Sequence, residues 1–419
     1  MVQKYLNYKN RKLFIENVDF EKLVKKFGTP LYVYSFSELT KNIKAYQEAF
    51  SSCKTLLCYA CKANSNFELL RVIGKSGFGA DIVSGGELFV SLKSGISPKK
   101  IVYSGVGKRE DEIIYALNSD ILMFNVESEE ELLEINRIAV RLNKKARISF
   151  RINPDVDPKT HHYISTGLAL SKFGIDIKEA EKIYQKAAGL RGIEVVGCQM
   201  HIGSQLTKLS PIIEAAHKLV GLIKKLKKKG IKISYLDLGG GLGITYKNEK
   251  VPSPSELAKK ILPLIKELGV ILILEPGRSM VGNTGVLLTK VLYLKNKRNK
   301  NFVIIDAGMN DLLRPSLYEA YHEIIPCVNK NKKTIRADIV GPICESGDFL
   351  AMDRRIPFVD KNSYLCVKSA GAYGFSMSSN YNSRLKPAEV LVKGNKCYLI
   401  RDREKLGDLL AHHKTADGI

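Results

Sequence analysis

The sequence lacks the features of membrane and disulfide-stabilised proteins. No run approaches the roughly 18 apolar residues that a membrane-spanning helix needs, and the first residues show no apolar signal region. Eight cysteines in 419 residues have no regular spacing, which does not fit a disulfide framework. We therefore expect reduced thiols, a cytoplasmic location and no membrane partner.

Two short motifs contain residue types that bind metals, but neither has enough further ligands nearby in the sequence. Cys58 and Cys61 form a CxxC motif, but no second pair of Cys or His residues lies nearby. We interpret both as core thiols in one strand that continues to Lys62. The tandem His161-His162 has no further ligand at metal-binding spacing. We expect no metal site.

The formal net charge of +23 could indicate nucleic-acid binding. The lysine-rich runs at 224–229, 295–300 and 330–333 contain no interleaved aromatic residues or glycines, as is typical of solvated surface. A nucleic-acid-binding module would explain the charge and none of the motifs described below. We expect no nucleic-acid partner.

The order of apolar segments predicts a barrel. Apolar runs alternate with amphipathic helical patterns between residues 38 and 275, which is typical of a parallel sheet. Eight such units predict a closed (β/α)8 barrel of the TIM type. The eight predicted strands are Leu56–Tyr59, Asp81–Val83, Ile101–Tyr103, Ile121–Phe124, Ile148–Phe150, Val195–Cys198, Tyr235–Leu238 and Ile271–Leu274.

After Arg278 the pattern changes to short β-rich runs, which predicts a C-terminal all-β domain. Leu31–Tyr34 reads as a strand, and we expect the all-β domain to take in this N-terminal strand. The expected organisation is a cofactor-binding barrel at 36–276 and a β-sandwich or barrel-like domain from 1–35 and 277–419. The polar segment 153–175 is bounded by proline, and we interpret it as a lid over the site.

Several predicted strands end in a residue with evident chemistry. Lys62 follows the first strand, His201 the sixth and Glu275 the eighth. A closed barrel gathers all eight C-terminal strand ends around one mouth, where such enzymes keep their active sites. We therefore expect these residues to meet around one ligand.

The residue types at this mouth indicate pyridoxal 5'-phosphate. A desolvated Lys62 would be an amine nucleophile able to form a Schiff base, although a lysine that merely reaches the rim is an open alternative. The loop Gly239-Gly240-Gly241 and Ser204 could bind a phosphate, and Arg278 a phosphate or a carboxylate. Glu275 could pair with a protonated heterocyclic nitrogen. His201 could stack on a planar ring, although a structural histidine remains the alternative.

Five motifs, in order along nearly the whole chain, resemble those of the alanine-racemase-fold pyridoxal-phosphate decarboxylases of basic amino acids. The similarity is greatest to members that act on diaminopimelate. The motifs are Tyr59-Ala60-Cys61-Lys62-Ala63-Asn64, Ala80-Asp81-Ile82-Val83-Ser84-Gly85-Gly86-Glu87, His201-Ile202-Gly203-Ser204-Gln205, Glu275-Pro276-Gly277-Arg278 and Gly341-Pro342-Ile343-Cys344-Glu345-Ser346-Gly347-Asp348.

The resemblance implies a role for each matching residue. Lys62 would carry the cofactor, His201 would stack on its ring, and Cys344 would donate a proton in the partner subunit's site of a homodimer. The implied cofactor-binding residues are Lys62, Asp81, His201, Ser204, Gly240, Glu275, Pro276, Gly277, Arg278 and Tyr373. The implied substrate-binding residues are Arg278, Arg314, Tyr318, Glu345 and Tyr373.

The resemblance also implies the reaction, which is the decarboxylation of meso-2,6-diaminopimelate to L-lysine and CO2 at the end of lysine biosynthesis. Arg314 and Glu345 would bind the carboxylate and the ammonium of the end that does not react. The alternatives are a decarboxylase of another basic amino acid or of carboxynorspermidine, and a non-catalytic cofactor-binding protein. The whole β-domain, with Cys344, argues against the last.

Overall fold

The computed structural model describes residues 5–157, 172–298, 300–330 and 333–416. His161-His162 and most of the segment interpreted as a lid lie outside the described residues. The chain divides into two compact units. The barrel unit is Lys41–Met280, and the β unit combines Met1–Thr40 with Val281–Ile419. The predicted limits of the cofactor-binding barrel, residues 36–276, stay a prediction.

The N-terminal part of the β unit begins with a small antiparallel sheet of β1 (Leu6–Lys9), β2 (Lys12–Ile15) and β3 (Val18–Asp19). Sequence reasoning missed these strands because two to four residues are too few for an alternating pattern to stand out. The elements that follow are α1 (Phe20–Phe27), β4 (Leu31–Ser35) and α2 (Phe36–Ala49).

Parallel strands form a closed barrel in the barrel unit, as the sequence predicted. The strands described here are β5 (Thr55–Ala60), β6 (Gly79–Ile82), β7 (Ile101–Tyr103), β8 (Met123–Val126), β9 (Ala146–Asn153), β10 (Ile175–Asp176), β11 (Ile193–Gln199), β12 (Tyr235–Asp237) and β13 (Ile271–Leu274). The two-residue β10 adds to β9 outside the ring. The ring closes because β13 pairs with β5 and β8 pairs with β9.

Helices follow the strands and bury their apolar sides. They are α3 (Phe67–Lys75), α4 (Gly85–Lys93), α5 (Glu110–Ser119), α6 (Glu129–Arg141), α7 (Ala180–Ala188), α8 (Ser210–Lys228), α9 (Pro254–Ile265) and α10 (Arg278–Val281). A serine followed three residues later by glutamate begins α4, α6 and α9, and each serine accepts a hydrogen bond from the glutamate N–H. Within the described residues, no helix is both long and apolar enough to cross a membrane.

The barrel interior changes from apolar to polar along the strands. Cys58, Val102 and Ile273 belong to an apolar cluster. Nearer the barrel mouth are polar side chains with at most 1% of their surface exposed, contributed by Asp81, Asn125, Ser149, Gln199 and Asp237. Burying polar groups costs free energy unless they are hydrogen-bonded or lose their charge. Their concentration at one level therefore marks this end of the barrel as chemically specialised.

The rest of the β unit confirms the predicted all-β domain. Its elements are β14 (Gly285–Lys297), β15 (Lys300–Ile305), α11 (Arg314–Tyr318), β16 (Ile324–Pro326), β17 (Thr334–Val340), β18 (Phe349–Pro357), β19 (Tyr364–Val367), β20 (Ala388–Lys393) and β21 (Lys396–Arg401). β4 pairs with both β14 and β20, so the N-terminal strand joins this sheet as expected. Sequence reasoning missed β18, whose charged residues Asp353, Arg354 and Arg355 interrupt the apolar pattern.

A pair of glycine substitutions tests the packing of the barrel. A Cβ on Gly79 of β6 would lie 1.9 Å from the carbonyl oxygen of Lys100, just before β7. Gly221 lies inside α8 with nothing within 4 Å of its added Cβ. We expect Gly79→Ala to lower the free energy of unfolding by about 1–3 kcal/mol and Gly221→Ala to raise it by about 0.5–1 kcal/mol. Urea unfolding measures both, and a Gly79→Ala variant as stable as the wild type would refute this close contact.

Candidate active site

Lys62 and Asp81 form an ion pair at the mouth of the barrel. The predicted continuation of the first strand to Lys62 is wrong, because β5 ends at Ala60 and residues Cys61–Ala63 form a single 3-10 turn. Ala60 pairs in register with Asp81, which brings the two side chains together. The Lys62 Nζ lies 2.5 Å from Asp81 Oδ2, and the Asp81 side chain is fully buried. The turn thus presents the amine, and Asp81 holds it.

Cys58 and Cys61 behave as core thiols. Both are fully buried and neither forms a disulfide. Their Sγ atoms contact different groups, the Lys100 carbonyl and the Ser91 hydroxyl, each at 3.5 Å. Burial raises the pKa of both thiols. Within the described residues, no cluster of three or more His, Cys, Asp or Glu side chains is arranged to bind a metal.

His201 is held as a neutral ring by the glycine loop. The Gly240 N–H donates to His201 Nδ1 at 3.3 Å, so the ring proton resides on Nε2. Burial, followed by the charges of Arg151 and Lys62, keeps the pKa of His201 well below its usual value. A Cβ on Gly240 would lie 2.2 Å from the Glu275 carbonyl oxygen, so only glycine allows this approach. The loop therefore packs between His201 and Glu275.

Glu275 and Asp237 form a buried acidic pair. Glu275 accepts a hydrogen bond from Asn125 at 3.4 Å and is 4% exposed, and the Asp237 carboxyl faces it. Burial, and then the charges of Asp237 and Asp81, raise the pKa of Glu275 well above its usual value. Burial also raises the pKa of Asp237 to about 6. Burial and mutual repulsion therefore oppose full ionisation of the two carboxyls, and a carboxyl that keeps its proton can donate a hydrogen bond.

Sequence reasoning missed Asp237, although a signal was present. An aspartate at the C-terminal end of a barrel strand, directly before a glycine-rich loop, lies where catalytic residues concentrate. Its Oδ1 accepts the N–H of Gly239 at 2.8 Å, and Glu275 N–H donates to the Gly239 carbonyl at 2.8 Å. Asp237 thus fixes the loop that packs against Glu275.

Arg278 lies in a cluster of hydroxyl groups. It donates to the Tyr246 hydroxyl at 2.7 Å and to the Ser204 hydroxyl at 3.1 Å, while remaining 6% exposed. A cation with two hydroxyls suits a phosphate or a carboxylate. A Cβ on Gly277 would lie 3.1 Å from the Cβ of Ala60, so this segment packs directly beside the Lys62 turn. Tyr246 was not predicted.

A second unpredicted group, the buried ion pair of Arg151 and Glu127, supports His201. Arg151 Nη1 lies 2.9 Å from Glu127 Oε1, and its Nη2 donates to the His201 carbonyl at 3.3 Å. Its guanidinium also stacks 4.5 Å from the Phe173 ring, and Glu127 accepts the Gly174 N–H at 2.9 Å. The pair therefore ties the His201 backbone to residues 173–174.

These residues fit pyridoxal 5'-phosphate. The site offers an amine at Lys62, a buried acid with a raised pKa at Glu275, a neutral imidazole at His201 and a cation with hydroxyls around Arg278. The Asp81 Oδ1 atom is buried without a hydrogen-bond partner in the structure described, as in a site shaped for a polar ligand. The geometry thus matches the donor set that this cofactor requires.

The remaining predicted site residues belong to the β unit. Arg314 and Tyr318 are the first and last residues of α11, and Arg314 is 6% exposed. Tyr373 is half-buried with a positive φ of 54°. Cys344 and Glu345 are exposed, in a loop whose Ile343 N–H donates to the buried Asp348 carboxylate at 2.6 Å. Their roles toward cofactor and substrate stay predictions.

Comparison with known proteins first defines the class. Residues 36–282 match the family model described as pyridoxal-dependent decarboxylase, pyridoxal binding domain. With the barrel and the lysine, acid and arginine at its mouth, this makes the chain a pyridoxal-phosphate-dependent decarboxylase.

Curated relatives and solved structures then narrow the family. The chain is 55% identical to the diaminopimelate decarboxylase of Aquifex aeolicus over 96% of its own length and 95% of the relative. It is 46% identical to the Helicobacter pylori diaminopimelate decarboxylase crystallised with L-lysine, with a TM-score of 0.91 over 94% of this chain and 98% of that one. The M. jannaschii enzyme with L-lysine gives 42% identity and a TM-score of 0.93 over 98% of each chain. The chain belongs to the diaminopimelate decarboxylase family.

The acidic pair makes a prediction about stability. A pKa raised to about 6 means that the folded chain holds the Asp237 proton more tightly than the unfolded chain does. Asp237 should therefore contribute stability that is present below about pH 4 and lost as the pH rises to about 6. Asp237→Asn cannot ionise but keeps an oxygen for the Gly239 N–H. Its free energy of unfolding relative to the wild type should increase by about 1–3 kcal/mol between pH 4 and pH 7.

Urea unfolding at pH 4, 5, 6 and 7 checks this prediction. The exposed Asp360→Asn is the matched control and should show little change across the series. A constant difference between Asp237→Asn and the wild type at every pH would contradict a raised pKa at Asp237.

Proposed function

We propose that this chain decarboxylates meso-2,6-diaminopimelate to L-lysine and CO2, the last step of lysine biosynthesis, with pyridoxal 5'-phosphate as cofactor. The observation that carries the proposal is the assembly of Lys62, Asp81, His201, Glu275 and Arg278 at one barrel mouth. It occurs in a chain 55% identical to a diaminopimelate decarboxylase over nearly its whole length. Two solved relatives of the same name, crystallised with L-lysine, agree with lysine as the product.

The residues of the barrel unit would divide the work of binding the cofactor. Lys62 supplies the amine that holds it, and Asp81 keeps this ammonium in place until the amine is needed. Glu275 would pair with the ring nitrogen, and neutral His201 would pack on the ring. The segment Pro276–Arg278, with Ser204 and Gly240, would hold the phosphate. Bound there, the cofactor supplies an electron-accepting ring that stabilises the charge left after CO2 departs.

Substrate choice would depend on the end of diaminopimelate that does not react. That end carries a carboxylate and an ammonium. Arg314, aided by Tyr318 and Arg278, would bind the carboxylate, and Glu345 the ammonium. A buried carboxylate without a cation is strongly disfavoured, so a relative lacking such an arginine would discriminate against this substrate.

Cys344 and Glu345 would complete the active site of a partner subunit in a homodimer, with Cys344 donating a proton and Tyr373 contacting cofactor and substrate. Two features support this proposal. Both residues are exposed in a loop pinned by Asp348, which also accepts the Met309 N–H at 2.6 Å. We also propose a cytoplasmic location, which the eight free cysteines support.

Arg314→Ala tests the substrate assignment. Breaking one side of a buried ion pair costs roughly 3–5 kcal/mol, or more than about a hundredfold in kcat/KM for diaminopimelate. The absorbance of the lysine-bound cofactor should remain, because Arg314 is assigned to the substrate. The control is Arg336→Ala, which removes an exposed arginine paired with Asp353. If the wild-type protein released CO2 from a different amino acid and none from diaminopimelate, the proposed function would be refuted.

Subunit mixing tests the shared site. Lys62→Ala and Cys344→Ala chains should each be inactive alone. A mixed dimer retains one site with both residues intact, so mixing should restore up to about a quarter of wild-type activity, given random exchange with one intact site in half of the dimers. Mixing Lys62→Ala with Lys62→Ala of a different tag is the control for exchange. Absence of recovery despite demonstrated exchange would refute the shared site.

A further inference from the structure

A buried histidine contacts the arginine to which substrate choice is assigned. His322 is fully buried in the β unit. Its Nε2 lies 2.8 Å from Arg314 Nη1, and its Nδ1 lies 2.8 Å from the backbone carbonyl of Lys368. This histidine lies in none of the sequence motifs described above.

The two contacts define the protonation of the ring. A carbonyl oxygen only accepts, so the Lys368 carbonyl requires a proton on Nδ1. A guanidinium only donates, so Arg314 requires a lone pair on Nε2. Both hydrogen bonds form together only when His322 is neutral and carries its proton on Nδ1. A protonated ring would point an N–H at the guanidinium.

The backbone around His322 is fixed by the sheet. His322 lies two residues before β16, and Ile324 pairs with Val367 of β19, which places the Lys368 carbonyl beside the ring. The Lys368 N–H donates to the Glu323 carbonyl at 2.8 Å, and the Lys368 and Glu323 side chains form an ion pair at 2.7 Å. The ring therefore sits in a preformed position.

A second arginine supports the same segment from another strand. Arg354 of β18 donates to the His322 carbonyl at 2.8 Å, and its guanidinium lies 3.9 Å from the Tyr321 ring. Stacking and hydrogen bonding together restrict both residues. The position of His322 thus does not depend on Arg314.

We propose that His322 is a positioning residue that orients Arg314 for the substrate carboxylate and leaves the charge of Arg314 undiminished. The proposal rests on the role assigned to Arg314 under the proposed function. A guanidinium is a planar fork, so fixing Nη1 sets the direction of its other donors. A carboxylate at position 322 would orient the fork equally well but would offset its charge. A neutral imidazole provides the orientation without that competition.

Two variants separate the two hydrogen bonds of the ring. Glutamine places an oxygen near the position of Nε2, so His322→Gln keeps an acceptor for Arg314. Asparagine places an N–H near the position of Nδ1, so His322→Asn keeps the bond to the Lys368 carbonyl and loses the contact with Arg314. The two variants share a similar side chain and differ in which partner they retain.

The ligands L-lysine and 1,5-diaminopentane form the matched probe on the holoenzyme. They differ only in the carboxylate that Arg314 is assigned to bind. For His322→Asn we expect the Kd of L-lysine and the KM of diaminopimelate to rise about tenfold or more, with a smaller change in kcat. The Kd of 1,5-diaminopentane should stay unchanged. His322→Gln should remain within about threefold of the wild type for every ligand.

The outcomes separate this inference from the proposed function. Equal behaviour of the two variants, equal weakening of both ligands, or unfolding of His322→Asn beside a folded His322→Gln would each overturn the positioning role. Failure of the wild type to decarboxylate diaminopimelate would instead overturn the proposed function. In that case the comparison of L-lysine with 1,5-diaminopentane would still report on His322.

Discussion

The electrostatic balance at the barrel mouth governs the site, because one lysine ammonium lies near three buried carboxyls. Asp81 and Asp237 are fully buried and Glu275 nearly so. Three full negative charges at this depth would be costly, and burial resolves the conflict by raising the pKa of Glu275 and Asp237. Lys62 opposes this effect by lowering the pKa of Glu275 and pairs directly with Asp81. The arrangement therefore opposes full ionisation of Glu275 and Asp237.

The positions of these charged groups depend on backbone hydrogen bonds made by the loop of Gly239 and Gly240. Asp237 accepts the Gly239 N–H, Gly239 accepts the Glu275 N–H, and Gly240 donates to His201. One short loop therefore sets the positions of an acid at the end of β12, an acid after β13 and an imidazole after β11. A side chain at Gly240 would collide with the Glu275 backbone and separate these groups.

The sequence predicted the fold and the site residues that follow strands. It did not predict the residues whose role depends on contacts between distant parts of the chain. The barrel and the β domain followed from alternating apolar runs. Lys62, His201 and Glu275 were noticed because each is a residue of evident chemistry that follows a predicted strand. Arg151 was overlooked because it lies inside an eight-residue strand, where its pairing with Glu127 is visible only once neighbouring strands are aligned. His322 carried no sequence signal, since its partners, Arg314 and the Lys368 carbonyl, come from other segments of the chain.

His201 and His322 are both neutral imidazoles beside cations, but for different physical reasons. His201 lies near the cations Arg151 and Lys62, and burial together with their charges lowers its pKa. The neutral state of His322 follows instead from hydrogen-bond geometry. The Lys368 carbonyl accepts from Nδ1 of the ring, and the Arg314 guanidinium donates to Nε2. In both cases a neutral imidazole beside a cation provides shape and a lone pair without adding charge. The neutral imidazoles add no charge of their own, and the raised pKa values of Glu275 and Asp237 limit the negative charge near Lys62. Positive charge therefore remains on Lys62 and the arginines, where an anionic cofactor and, by the role proposed for Arg314, a dicarboxylate substrate would need it.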